Sequence, residues 1–150
     1  MAEEEHFPED DVSWITSQVA VTNFVTAHGN LRSHGISAVL CLDRSVAGGN
    51  ATSRGLQTVE VVDLHDGANP AYLFAEAVNL LCRLNKQYEK VLVHCRAGKS
   101  RSIAVVAAWL ARDQNIGWQA ALKRVIAARQ THSVAPELME LGQALVESGE

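Results

Sequence analysis

Apolar and polar positions divide the chain into two regimes. Up to residue 93, short apolar runs alternate with polar stretches; beyond residue 102, apolar residues recur at spacings of three and four. Ile36-Ser37-Ala38-Val39-Leu40-Cys41-Leu42 is almost continuously apolar with β-branched members, which predicts a buried strand. Thr58 to Val62 reads as another strand. Val91-Leu92-Val93 is short and shows no alternation, the pattern of a strand buried on both faces. Trp14 to Val21 reads as a short strand and turn. Thr26 to His34 reads as a short helix closed by Gly35, which accepts a left-handed cap without penalty. Asn69-Pro70 marks a helix start, with Asn as cap and Pro at the first helical position. That helix is expected to run to about Leu84, with Phe74, Val78, Leu81 and Cys82 on one face. Ile103 to Arg112 lacks a polar face, so it is a central helix. Trp118 to Arg129 is amphipathic through Leu122, Val125 and Ile126, and Pro136 opens a last helix carrying Leu138, Leu141 and Leu145.

Strands interleaved with helices, then helices alone, predict an α/β fold: a central, mostly parallel sheet flanked by helices. Asp43 to Gly55 is polar and rich in glycine and serine. It is expected to be a long loop inside the domain and to form part of a pocket rim.

Composition narrows the class. The chain has 150 residues, 47% hydrophobic and 20% charged, enough for one globular domain over residues 12–150. Residues 1–11 are acidic and polar. They are expected to be a flexible tail, and they resemble neither a secretory signal nor a transit peptide. A net charge of −4 with a pI of 5.8 argues against a nucleic-acid partner held by bulk electrostatics. No apolar stretch reaches membrane-spanning length, so no stable membrane insertion is expected. Three cysteines, Cys41, Cys82 and Cys95, form no Cys-x-x-Cys pair, and an odd count is a poor disulfide framework. They read as free thiols of a cytoplasmic protein, with Cys82 buried.

The chemistry concentrates in residues 94–102, His-Cys-Arg-Ala-Gly-Lys-Ser-Arg-Ser, directly after the apolar strand and before the central helix. A backbone wrapping between strand and helix here points the amides of Arg96, Ala97, Gly98, Lys99, Ser100 and Arg101 inward as an anion nest. Gly98 permits the tight curvature, and the helix beginning near Ser100 aims its positive end at the same point. Arg101 can grip two phosphate oxygens at once. These dipoles favour a thiolate, so Cys95 is expected to be a nucleophile able to form a covalent thiophosphate. Ser102 can donate to the sulfur as it leaves. His94 is suited to orient the loop through backbone hydrogen bonds rather than to act as a base.

This segment resembles the phosphate-binding loop of cysteine-based protein tyrosine phosphatases, specifically the small (atypical) dual-specificity group. The similarity covers nearly the whole chain: Trp14-Ile15-Thr16 resembles the family's first strand, Gly35 to Leu40 its Gly-Ile strand unit, and Ser102-Ile103-Ala104 the start of its central helix. The resemblance implies a dual-specificity-phosphatase-like fold. It implies hydrolysis of phosphotyrosine and phosphoserine/phosphothreonine through a cysteinyl-phosphate intermediate, with a phosphorylated protein as substrate and no metal or cofactor. A monomer is expected.

The resemblance also implies a general-acid aspartate roughly thirty residues before the cysteine. Asp63 and Asp66 stand 32 and 29 residues before Cys95. Asp66 is favoured, because Asp66-Gly67-Ala68-Asn69-Pro70 reads as a loop tip above the pocket; Asp63 is the alternative. His65 reads as an exposed loop residue. Some members of the superfamily hold a second cysteine that captures the oxidised nucleophile, which makes Cys41 a candidate redox partner, against a plain core thiol. The cations Arg96 and Lys99 keep open a phosphoinositide or phospholipid substrate, although no basic amphipathic segment accompanies them. A non-catalytic phospho-binding pseudophosphatase and a rhodanese-type sulfurtransferase are further readings. The first usually lacks the cysteine or arginine; the Arg101-Ser102 ending and the upstream aspartate argue against the second.

Overall fold

The computed structural model describes residues 7–149. Five strands form one sheet in the order β1-β2-β5-β3-β4. They are β1 (Val12–Trp14), β2 (Val19–Thr22), β3 (Ala38–Cys41), β4 (Thr58–Val61) and β5 (Val91–His94). Only β1 and β2 pair antiparallel; the other three pairs are parallel. Parallel neighbours need crossovers, and crossovers cover both faces, so β2, β3 and β5 are buried throughout.

The pleat sorts side chains by parity. Val19, Val21, Ala38, Leu40, Val91 and Val93 face one core, which contains four helices. These are α2 (Ala71–Gln87), α3 (Arg101–Gln114), α4 (Trp118–Arg129) and α5 (Pro136–Glu147). Ala20, Val39 and Leu92 face the opposite, smaller core with Leu31, Ile36 and Leu56. Residues 102–111 of α3 are all buried, as an all-round apolar helix requires. The fold is therefore the α/β architecture expected, with β5 central and its C-terminal end feeding the loop to α3. No helix among the described residues is long and apolar enough to cross a membrane.

Several local expectations are corrected. The helix expected over Thr26–His34 is split: α1 covers Phe24–Ala27, capped by the Asn23 side chain accepting from the Thr26 amide, and a 3₁₀ turn follows at Arg32–His34. Gly29-Asn30 interrupts it, and Gly35 closes the turn at φ 72°. Asn69 does not cap α2. It accepts from the His65 amide and donates to the carbonyls of His65 and Gly67, bracing the Asp66 turn instead. Asp43–Gly55 carries 3₁₀ turns at Arg44–Val46 and Thr52–Arg54 and buries Val46. Cys82 is half-buried rather than buried.

Residues 1–6 of the expected tail lie outside the described residues. Residues 7–11 are packed against the domain. The Phe7 ring meets Phe24 edge-on at 5.3 Å, the Pro8 carbonyl accepts from Asn23 and Thr26, and Asp11 pairs with Arg129.

Candidate active site

A pocket of about 390 Å³ opens at the C-terminal end of β5, lined by Phe7, Asp66, Cys95, Arg96, Ala97, Lys99, Ser100, Arg101 and Ser133. Cys95 lies at its floor, 2% exposed. The Ser102 hydroxyl donates to its sulfur at 3.2 Å. Arg96 and Lys99 are exposed at the rim.

The direction of the loop's amides is set by its carbonyls. The Cys95 carbonyl accepts from His94 Nδ1 at 3.0 Å, and the Arg96 carbonyl from the Phe24 amide at 2.9 Å. The Ala97 and Gly98 carbonyls accept from Arg129 at 3.1 and 3.0 Å, and the Lys99 carbonyl from the Thr131 hydroxyl at 3.1 Å. None of these partners lines the pocket. In a trans peptide the C=O of one residue and the N–H of the next point opposite ways. Five consecutive carbonyls held behind the loop thus turn the amides of residues 96–100 to its other side, the geometry of an anion nest. Gly98 sits at φ 69°, and the Ser100 hydroxyl accepts from the Ala135 amide at 2.9 Å.

His94 is fully buried, and burial pushes its imidazole down to about 4, so the ring is neutral near pH 7. A carbonyl can only accept, so the ring proton sits on Nδ1. Its Nε2 has no partner among the described residues. The ring therefore holds the Cys95 carbonyl.

Arg101 heads α3. One of its terminal nitrogens, Nη1, donates to the Leu64 carbonyl and pairs with Asp43, both at 3.2 Å. Burial alone would raise the Asp43 carboxyl; bonds from Ser45 and the Arg101 guanidinium outweigh it and hold the group below the usual range. Asp43 reaches the site through Arg101, but nothing from Asp43–Gly55 lines the pocket itself. The rim expectation for that loop is thus corrected, because its turns fold back onto Asp63 and Ala27: the Arg44 amide donates to Asp63 and Arg54 to the Ala27 carbonyl.

The two aspartates are separated by this arrangement. Asp66 lines the pocket with Cys95, whereas Asp63 accepts from the Arg44 amide at 2.8 Å outside it. His65 is exposed. Cys41 ends β3 level with His94 and donates to the Asp43 carbonyl at 3.0 Å. Burial pushes its thiol up to about 11. Among the described residues no group of three His, Cys, Asp or Glu side chains could hold a metal.

Phe7, Asp43, Arg129, Thr131 and Ser133 escape the sequence reading. Arg129 looks like an ordinary basic residue at a helix C-terminus, and Phe7 lies in an acidic segment with no periodicity.

The chain matches the family model described as "Dual specificity phosphatase, catalytic domain" over residues 21–144. It is similar to Dual specificity protein phosphatase 1 of Arabidopsis thaliana, 29% identical over 130 residues. That match covers 85% of this chain and 65% of the relative, so the chain spans just under two thirds of that protein. Among solved structures, human DUSP28 superposes with a TM-score of 0.81 at 19% identity, over 94% of this chain and 96% of that one. PTPMT1 in complex with PI(5)P superposes with a TM-score of 0.76 at 17% identity, over 93% of this chain and 96% of that one. At such identities the structural matches establish the fold alone.

Proposed function

Since the chain belongs to the dual-specificity phosphatase catalytic-domain family, we propose that it hydrolyses phosphate monoesters on tyrosine and on serine or threonine of proteins. The observation that carries this reading is the row of five loop carbonyls tied behind residues 95–99, which leaves the amides to cradle an anion over Cys95. The Cys95 thiolate attacks phosphorus as the ester P–O bond breaks, and Asp66 gives its proton to the departing oxygen. Asp66 then takes a proton from water, whose oxygen attacks phosphorus as the P–S bond breaks. Ser102, already bonded to the sulfur, stabilises the thiolate as it leaves. The Arg101 guanidinium, steadied by Asp43, and the inward amides hold the equatorial oxygens.

A second reading concerns substrate rather than mechanism. Arg96 and Lys99 add two exposed cations to the pocket lining, which supports a more highly charged substrate such as a phosphoinositide head group. Hydrolysis of para-nitrophenyl phosphate by the wild type, with less than about a thousandth of it in Cys95→Ser, tests the chemistry. Equal activity in both would overturn it, and a panel of phosphotyrosine, phosphothreonine and phosphoinositide substrates separates the two readings.

A further inference from the structure

Arg129 is the one arginine or lysine buried among the described residues, its side chain 4% exposed. A buried guanidinium is costly unless its donors are met, and here they are met in a divided way. On one side Nη1 and Nη2 grip Asp11 Oδ1 and Oδ2 at 2.9 and 2.8 Å, with Nη1 also reaching the Asp11 carbonyl and the Ser13 hydroxyl. On the other side Nε and Nη2 hold the carbonyls of Gly98 and Ala97. Asp11 is itself fixed. Its amide donates to Thr26 Oγ1, its carbonyl accepts from Thr22 Oγ1, and its carboxylate accepts from Asn23.

The two carbonyls that Arg129 holds belong to the peptide planes that present the Gly98 and Lys99 amides to the pocket. Apolar side chains could fill this space at little cost to stability, since buried ion pairs are often replaceable that way. They could not hold two successive carbonyls away from the anion. We propose that Arg129 and Asp11 are positioning residues of the phosphate loop: Asp11 orients the Arg129 fork, and the fork sets the peptide planes at Ala97 and Gly98. The segment before β1 is thereby a working part of the site. This role rests on residues 95–101 being the anion cradle proposed above.

The test uses the full chain and needs no turnover. Alkylation of Cys95 by anionic iodoacetate is measured relative to neutral iodoacetamide, by mass spectrometry of the Cys95 peptide. The ratio cancels the ionisation of the thiol and reads the pull of the cradle on an anion. Arg129→Met keeps the stem and removes the fork. It should lower the ratio about tenfold, the scale of lost charge-assisted hydrogen bonds, and raise KM for para-nitrophenyl phosphate more than it lowers kcat. Asp11→Asn, which spares the bonds to the loop, should lower the ratio about threefold. Arg129→Lys cannot reach both carbonyls and should rescue little. A ratio and KM within about twofold of wild type in folded Arg129→Met and Asp11→Asn overturn the proposal. If Arg129→Met fails to fold, Asp11→Asn decides alone. A wild type that prefers iodoacetate yet turns over no phosphate ester sinks the phosphatase reading without touching this one.

Discussion

Gly98→Ala probes the loop where it is tightest. A Cβ there would lie 2.4 Å from the Thr22 carbonyl oxygen, 2.8 Å from its carbon and 3.0 Å from Arg129 Nη2. Ordinary C···O contacts begin near about 3.3 Å, so the loop must retreat by about 1 Å. Thr22 will not yield, because β2 is paired on both sides, with β1 and β5. Retreat lengthens the Arg129 bonds to Gly98 and Ala97, now 3.0 and 3.1 Å, beyond bonding range. The left-handed backbone adds about 1 kcal/mol for any residue with a Cβ, and strain from overpacking adds about 1–3. The expected loss of stability is therefore about 2–4 kcal/mol. A misplacement of about 1 Å in a catalytic loop costs about a hundredfold in rate. The assay is kcat/KM on para-nitrophenyl phosphate, beside urea unfolding at the same temperature. Gly117→Ala is the control: φ is −70° there, and nothing lies within 4 Å of the added carbon. Gly98→Ala with kcat/KM within about threefold of wild type and an unchanged unfolding free energy would refute the argument from packing.

Three further outcomes are expected. Asp66→Asn should lower kcat about a hundredfold on esters with poor leaving groups, while Asp63→Asn, outside the pocket, stays within about twofold; a reversed pattern in the same kinetics overturns the assignment. His94 is held at about 4 in the folded chain against 6.5 unfolded, so the unfolded state takes up a proton first as pH falls. Its contribution is complete above about pH 6.5 and declines toward pH 4 by about 3 kcal/mol at most. Urea midpoints over that range should therefore fall less in His94→Asn than in wild type; equal slopes contradict the reading. Cys41 donates to Asp43 and its thiol is pushed up to about 11, a poor attacking group at neutral pH. Peroxide treatment near neutral pH should leave no Cys41–Cys95 disulfide by mass spectrometry, and finding one restores Cys41 as a redox partner.

Features encoded by adjacent residues were legible from the chain. Helix α4 begins and ends at Trp118 and Arg129 as its periodicity predicts, and α5 starts at Pro136. The 94–102 segment is contiguous, so Cys95, Arg101 and Ser102 could be placed around one loop from the chain alone. The short β3 and β5 were visible because parallel strands buried on both faces need uninterrupted apolar runs. Prediction failed where a side chain had a choice of partner. Asn69 has the composition of a cap but braces the Asp66 turn, and the split of Thr26–His34 depended on Gly29-Asn30 giving up a continuous helix.

The sequence by itself determined the local chemistry, because the succession of strand, loop and helix is set by backbone geometry over a few residues. Tertiary structure alone decided which distant groups orient that chemistry. Arg129 lies 118 residues from Asp11, and 31 and 32 from the Gly98 and Ala97 carbonyls it holds. Nothing in local periodicity constrains such pairs, because they exist only once the sheet brings β1, β2 and β5 side by side and α4 packs over them.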